Sequence, residues 1–173
     1  MSLKVNSVII ILLLIGNDSN SIESKSKTSS KAFSIQRSKD INEIVYEVSI
    51  TGMNLINIEQ PINIYWVKHT DGNRIEPLSW IQNKYAYGLE FMKKNALEAT
   101  FHFVSYNKRI FTIQKDKEGQ FKVYTEVKGK KAIVERIFVQ IDGGSFWFPK
   151  ISRVELYSLN PQNNQKVTEI IIP

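Results

Sequence analysis

Ile44-Val-Tyr-Glu-Val-Ser-Ile50 is the stretch that decides the fold. Ile44, Tyr46, Val48 and Ile50 alternate with Val45, Glu47 and Ser49 before a Thr51-Gly52 break. Successive side chains of an extended chain point to opposite faces, so this spacing gives a strand with one face buried. The pattern recurs along the chain. Ile62, Ile64 and Trp66 give a second strand, and Asp71-Gly72, within the turn His69 to Asn73, signals a hairpin. Phe101 and Phe103, then Phe111 and Ile113, then Phe121, Val123, Thr125 and Val127 read as a meander, with short intervals at Tyr106-Asn-Lys108 and Asp116 to Gly119.

From Ala132 to Ile141 both faces are apolar: Ile133, Ile137, Val139 and Ile141 on one, Ala132, Val134 and Phe138 on the other. That describes a central strand covered on both sides. Asp142-Gly-Gly144 ends it, and strands over Ile151 to Ser158 and Lys166 to Ile172 follow. Between Pro77 and Leu97 the period is lost, which reads as a short helix and a loop. The fold class expected is all-β: a single antiparallel β-barrel or β-sandwich of about eight or nine strands, with one short helical or irregular insertion. Sequence does not separate barrel from sandwich.

The first residues have the layout of a secretory signal: Lys4, an apolar run from Val8 to Ile15, then Gly16 and small polar residues with Ser19 and Ser21 before the cut. Residues 1–21 are read as a cleaved signal peptide, 22–31 (IESKSKTSSK) as a flexible leader, and 32–173 as one domain. The run is too short for a membrane anchor, which needs roughly twenty apolar residues. There is no cysteine to carry a lipid or form a disulfide. These features place the mature protein in the periplasm or outside the cell, with no transmembrane segment after cleavage. An apolar core in about 140 residues must then supply the stability. The net charge of +6 is unchanged by cleavage, since Lys4 and Asp18 leave together. Cations and anions are interspersed, which describes a solvated mixed surface rather than a nucleic-acid stripe.

No phosphate loop, nucleophile elbow or zinc-protease motif occurs. His69 and His102 are the only histidines, and neither has a partner at ligand spacing, so no metal site and no cofactor are expected. Glu135, beside Arg136 on the most apolar strand, is the carboxylate that an acid/base pair would use. The segment Arg37-Ser-Lys39-Asp-Ile-Asn42 gathers cations, a hydroxyl and an amide suited to an anionic group. Trp66, Trp80, Gln82, Tyr85, Tyr87, Tyr106 and Arg109 supply aromatic and polar groups that would line one end of the fold if the irregular segment covers it. Arg37, Lys39, Asn42, Trp66, Gln82, Tyr87, Tyr106 and Arg109 are therefore the candidate ligand-binding set. Phe146-Trp-Phe148 cannot all face inward on one strand, so at least one ring is expected at the surface or under a loop.

The segments Arg37-Ser-Lys-Asp-Ile-Asn42 and Pro61-Ile-Asn-Ile-Tyr-Trp66, Gln82 with Ala86-Tyr-Gly88, Ser105-Tyr-Asn-Lys-Arg109 and Glu169-Ile-Ile-Ile-Pro173 carry a resemblance. The chain resembles a bacterial family known as domain of unknown function 4833, over roughly Phe33 to Pro173. The resemblance implies a single exported domain of this size, and it brings no activity, substrate or catalytic residue across. The function expected is that of a monomeric, non-catalytic envelope domain that binds a small molecule or an envelope protein. The alternative is an envelope hydrolase working through a carboxylate pair. The exported chain is expected to begin at Ile22 when sequenced from its N-terminus, and a retained Met1 would overturn the signal-peptide reading.

Overall fold

The computed structural model describes residues 29–145 and 148–173. The expected signal peptide and most of the leader lie outside the described residues, as do Phe146 and Trp147. Phe148, the remaining ring of that cluster, is fully at the surface.

The strands are β1 (Ser29–Arg37), β2 (Asp40–Ser49), β3 (Ile62–Lys68), β4 (Arg74–Pro77), β5 (Leu89–Lys94), β6 (Ala99–Phe103), β7 (Tyr106–Lys115), β8 (Phe121–Val127), β9 (Lys130–Gly144), β10 (Pro149–Leu159) and β11 (Lys166–Ile171). Between β4 and β5 lies a short helix, α1 (Trp80–Gln82), running into a π-turn over Asn83–Tyr87. The fold is all-β. A path β4-β3-β2-β1-β9-β8-β7-β6-β5 curls into a half-barrel, with the β10-β11 hairpin attached to β9 off this path.

The organising element is β9. Ile133 pairs with Tyr124 of β8 on one side and Leu159 of β10 on the other. Three residues on, Arg136 pairs with Ser34 of β1 and with Tyr157 of β10. Since β10 holds one edge throughout, β8 and β1 share the other edge in succession. Their free ends then compete for space. Phe121 to Val123 of β8 run on past Ile133, while Phe33 and the residues before it run back from Arg136 over the same stretch. Both cannot lie in one plane, so the sheet forks there. One arm is β1 to β4 and the other β8 to β5.

The core fills the space between the arms. Phe33 and Tyr46 stack with centroids 4.4 Å apart, and Phe103 meets Tyr46 edge-on at 5.6 Å. Phe101 stacks on Phe111 at 5.4 Å. The odd residues 111 and 113 and the even residues 44, 46 and 48 supply the inward faces, as their alternation requires. Burying such rings is worth several kcal/mol each in a well-packed core.

Three features differ from the sequence reading. β1 begins at Ser29, within the stretch read as leader, and pairs in parallel with β9, so the sheet is mixed. It escapes the alternation test because Ala32 is a bulge: Lys31 faces Glu47 and Phe33 faces Tyr46, leaving Ala32 unmatched. β5 lies inside the segment read as irregular, where only Leu89 and Phe91 of its side chains pack on the core. Finally, β9 is not apolar on two continuous faces. Ser158 faces Val134 and Tyr157 faces Arg136, so Glu135 is an extra residue that shifts the inward phase from Ala132 and Val134 to Ile137.

Deleting Glu135 should therefore turn Ile137 out of the core and abolish a cooperative urea transition. Glu135→Ala, which keeps the count, should unfold within about 0.5 kcal/mol of the parent protein. Similar losses in both variants would refute the register role.

Candidate functional site

Four of the eight candidate side chains meet. Arg37 ends β1 and donates from Nη1 to the Tyr87 hydroxyl at 3.3 Å, while its other terminal nitrogen pairs with Asp40. The Arg37 guanidinium lies 4.7 Å from the Trp66 ring centroid, and the Lys68 ammonium lies 4.5 Å from it. Trp66 Nε1 donates to Gln82 Oε1 at 3.3 Å, and Tyr87 meets the indole edge-on at 5.9 Å. The indole is 3% exposed. A buried Trp needs a partner for its N–H, and here the partner comes from the inserted segment.

That segment is tied down at many points. Ser79 caps α1 in a reciprocal box with Gln82. The Tyr46 hydroxyl donates to Tyr87 O at 2.7 Å, Ser105 Oγ to Ala86 O at 2.6 Å, and Val104 N to Gly88 O at 3.0 Å. Gly88 is required by space, since a Cβ there would sit 1.9 Å from Asn83 O. The Arg37–Trp66–Gln82–Tyr87 cluster is thus a clamp holding the insertion on the half-barrel. Arg37 Nε is buried in it without a partner.

The other candidates are elsewhere. Lys39 is exposed in the β1-β2 turn. Asn42 accepts from Thr70 N at 3.3 Å and Thr70 Oγ1 at 3.2 Å, joining β2 to the turn after β3. Tyr106 is 39% exposed in the β6-β7 hairpin. Arg109 pairs with Glu169 of β11 at 3.0 Å and also donates to Glu126 O. Trp80 and Tyr85 point outward, edge to face at 6.1 Å, with Lys84 against both rings.

The concave feature lies at the fork in the sheet. It is an open cleft of about 840 Å³ between the start of β1, the β7-β8 hairpin, the first half of β9 and the β10-β11 turn. None of the eight candidates lines it. Five lysines do: Lys31, Lys115, Lys117, Lys122 and Lys131. Lys31 is committed to Glu43 at 2.9 Å and Lys117 approaches Glu118 at 3.7 Å. Lys115 and Lys131 rest their stems beside Phe121 and Tyr124, with ammonium groups 5.1 and 4.6 Å from the ring centroids. Among the described residues Lys115, Lys122 and Lys131 form no ion pair, so lysines outnumber carboxylates in the cleft by five to three.

Three carboxylates share the cleft: Asp116, Glu118 and Glu135. Asp116 Oδ1 accepts from the backbone N–H of Glu118 at 3.0 Å and of Gln120 at 2.8 Å, so it shapes its own turn. Glu135 is exposed at the bulge rather than buried in an ion pair with Arg136, which donates to Gln36. Among the described residues no group of three His, Asp or Glu is placed to hold a metal ion, and no helix is long and apolar enough to cross a membrane. The sequence signal for the cleft was the density of lysine in Lys115-Asp-Lys-Glu-Gly-Gln-Phe-Lys122, which reads first as a hairpin turn.

These features define an all-β half-barrel with a basic cleft at its fork. The chain belongs to the family described as Domain of unknown function (DUF4833), whose sequence model matches residues 33–170. No curated protein and no solved structure matches the chain significantly.

The clamp has a measurable signature. Tyr46→Phe should cost about 1–2 kcal/mol in urea unfolding, because the Tyr87 carbonyl loses its donor. Burial, with the neighbouring Tyr87 adding to it, holds the Tyr46 phenol well above its ordinary value near 10. The unfolded chain therefore releases this proton first, and stability falls as the pH climbs past 10. The fall should be shallower in Tyr46→Phe, and an identical alkaline profile would show that Tyr46 is not the group responsible.

Proposed function

We propose that this is an exported, non-catalytic binding domain whose anionic ligand occupies the cleft at the fork. The observation that carries the reading is the set of three unpaired lysines, Lys115, Lys122 and Lys131, on the walls of one concavity. Lysines repel one another, and an excess of them over carboxylates in one concavity favours an anion held between them. The binding reading moves from the Arg37 cluster to this cleft because Arg37, Trp66, Gln82 and Tyr87 are engaged with one another in holding the insertion. Export is supported by the layout of residues 1–21. A carboxylate-pair hydrolase finds less support, since Asp116 is engaged by its turn and Glu118 by Lys117.

The test is native mass spectrometry of the mature protein purified from its own cell envelope. An acidic molecule lost on denaturation should accompany the parent protein, and its occupancy should fall about tenfold or more in Lys122→Glu/Lys131→Glu. The same occupancy in both proteins would remove the cleft from the reading. A bare protein in both would remove the binding function itself.

A further inference from the structure

The floor and rim of the cleft say more about its ligand than charge alone. Tyr124 projects from the outer face of β8, opposite Ile133, and belongs to the cleft rather than to the core cluster. It is 4% exposed, yet its hydroxyl takes no part in the hydrogen bonds among the described residues. Tyr124 is not among the buried atoms left without a partner, so its hydroxyl is reached from the open cleft and can donate to a ligand atom there. Burial, helped by the charges of Asp116 and Glu118, raises the phenol above its ordinary value. It therefore keeps its proton at neutral pH and can act as a donor.

The rim is amide-rich. Gln114 and Gln120 come from the β7-β8 hairpin, and Gln162 and Asn164 from the β10-β11 turn that faces it. A primary amide offers a donor and an acceptor side by side, which matches a ligand hydroxyl, itself both donor and acceptor. Lysines attract oxyanions as point charges. Both kinds of group line one opening of about 840 Å³.

Resting on the binding reading above, we infer that the cleft recognises an acidic oligosaccharide: hydroxyls lie against the amide rim, acid groups lie against Lys115, Lys122 and Lys131, and one oxygen accepts from Tyr124. A carboxylate sugar and a phosphate sugar share this chemistry.

Titration calorimetry of the mature protein separates the contributions with defined probes. Tetragalacturonate carries hydroxyls and carboxylates, a ribitol-phosphate oligomer carries hydroxyls and phosphates, tripolyphosphate carries charge without hydroxyls, and maltotetraose carries hydroxyls without charge. At least one of the first two should bind about tenfold or more tighter than either control, and their ranking identifies the acid group. Tyr124→Phe and Gln162→Ala should weaken that probe severalfold while leaving tripolyphosphate binding unchanged, and Lys84→Ala, remote on the insertion, should change nothing. Tripolyphosphate binding as tightly as the acidic sugars would overturn the saccharide inference and leave the anion site standing. Binding of none of the charged probes would overturn both. Equal losses of all charged probes in Tyr124→Phe, with an unchanged urea midpoint, would assign Tyr124 to charge binding rather than hydroxyl reading and would also overturn the inference.

Discussion

One edge of β9 is claimed by two strands, and the rest of the molecule follows from how that claim is divided. β8 takes Lys130 to Ile133 and β1 takes Arg136 to Val139. The residues that would overlap are forced out of plane in opposite directions. The bulges sit where the division falls, Glu135 on β9 and Ala32 on β1, each letting its strand turn without losing the pairing beyond. The two arms then face each other across Phe33, Tyr46, Phe103 and Phe111. The cleft is the gap that the parting strands leave on the other side of the fork.

The same division arranges charge. Arg153, Glu155 and Tyr157 on β10, Arg136 on β9, Gln36 on β1 and Glu43 on β2 form a polar ladder across the outer surface, with Arg136 stacked on Tyr157 at 4.1 Å and bonded to Gln36 at 2.7 Å. Lys31 closes the ladder through Glu43. Arginine and carboxylate neutralise one another on that surface. Exposed pairs of this kind contribute little stability individually. What they do is keep the ladder from competing for the cleft's charge.

Local pattern made part of this legible. β2, β6, β8 and the second half of β7 show their alternation because one face of each is buried, and the turns after β2, β3, β7 and β8 carry Gly or Asp in the sequence. β1 was hidden by its bulge and β5 by the exposure of Met92, Lys93 and Lys94. The parallel β1-β9 pairing left no local trace, since no short motif records a contact between residues a hundred positions apart. The same limit applied to function. Arg37, Trp66, Gln82 and Tyr87 were visible as a set, yet the partners that turn them into a clamp, Tyr46 and Ser105 among them, lie on other strands. The cleft draws its lysines from three separated elements, and only the hairpin between Lys115 and Lys122 brings any of them together in sequence.

The β1-β9 ladder also sets an order of events. Ser34 to Arg37 pair with β2 at once but find their β9 partners only when Arg136 to Val139 are present, and the stacked rings Phe33 and Tyr46 wait on Phe103 and Phe111 to be enclosed. Long-range pairings of this kind must bear the entropy of closing a large loop before any packing rewards them, which makes folding slow. A chain emerging from the ribosome in sequence order thus carries its earliest strand paired with β2 alone until most of the domain has followed. The first strand made keeps one edge open until β9 arrives to fill it.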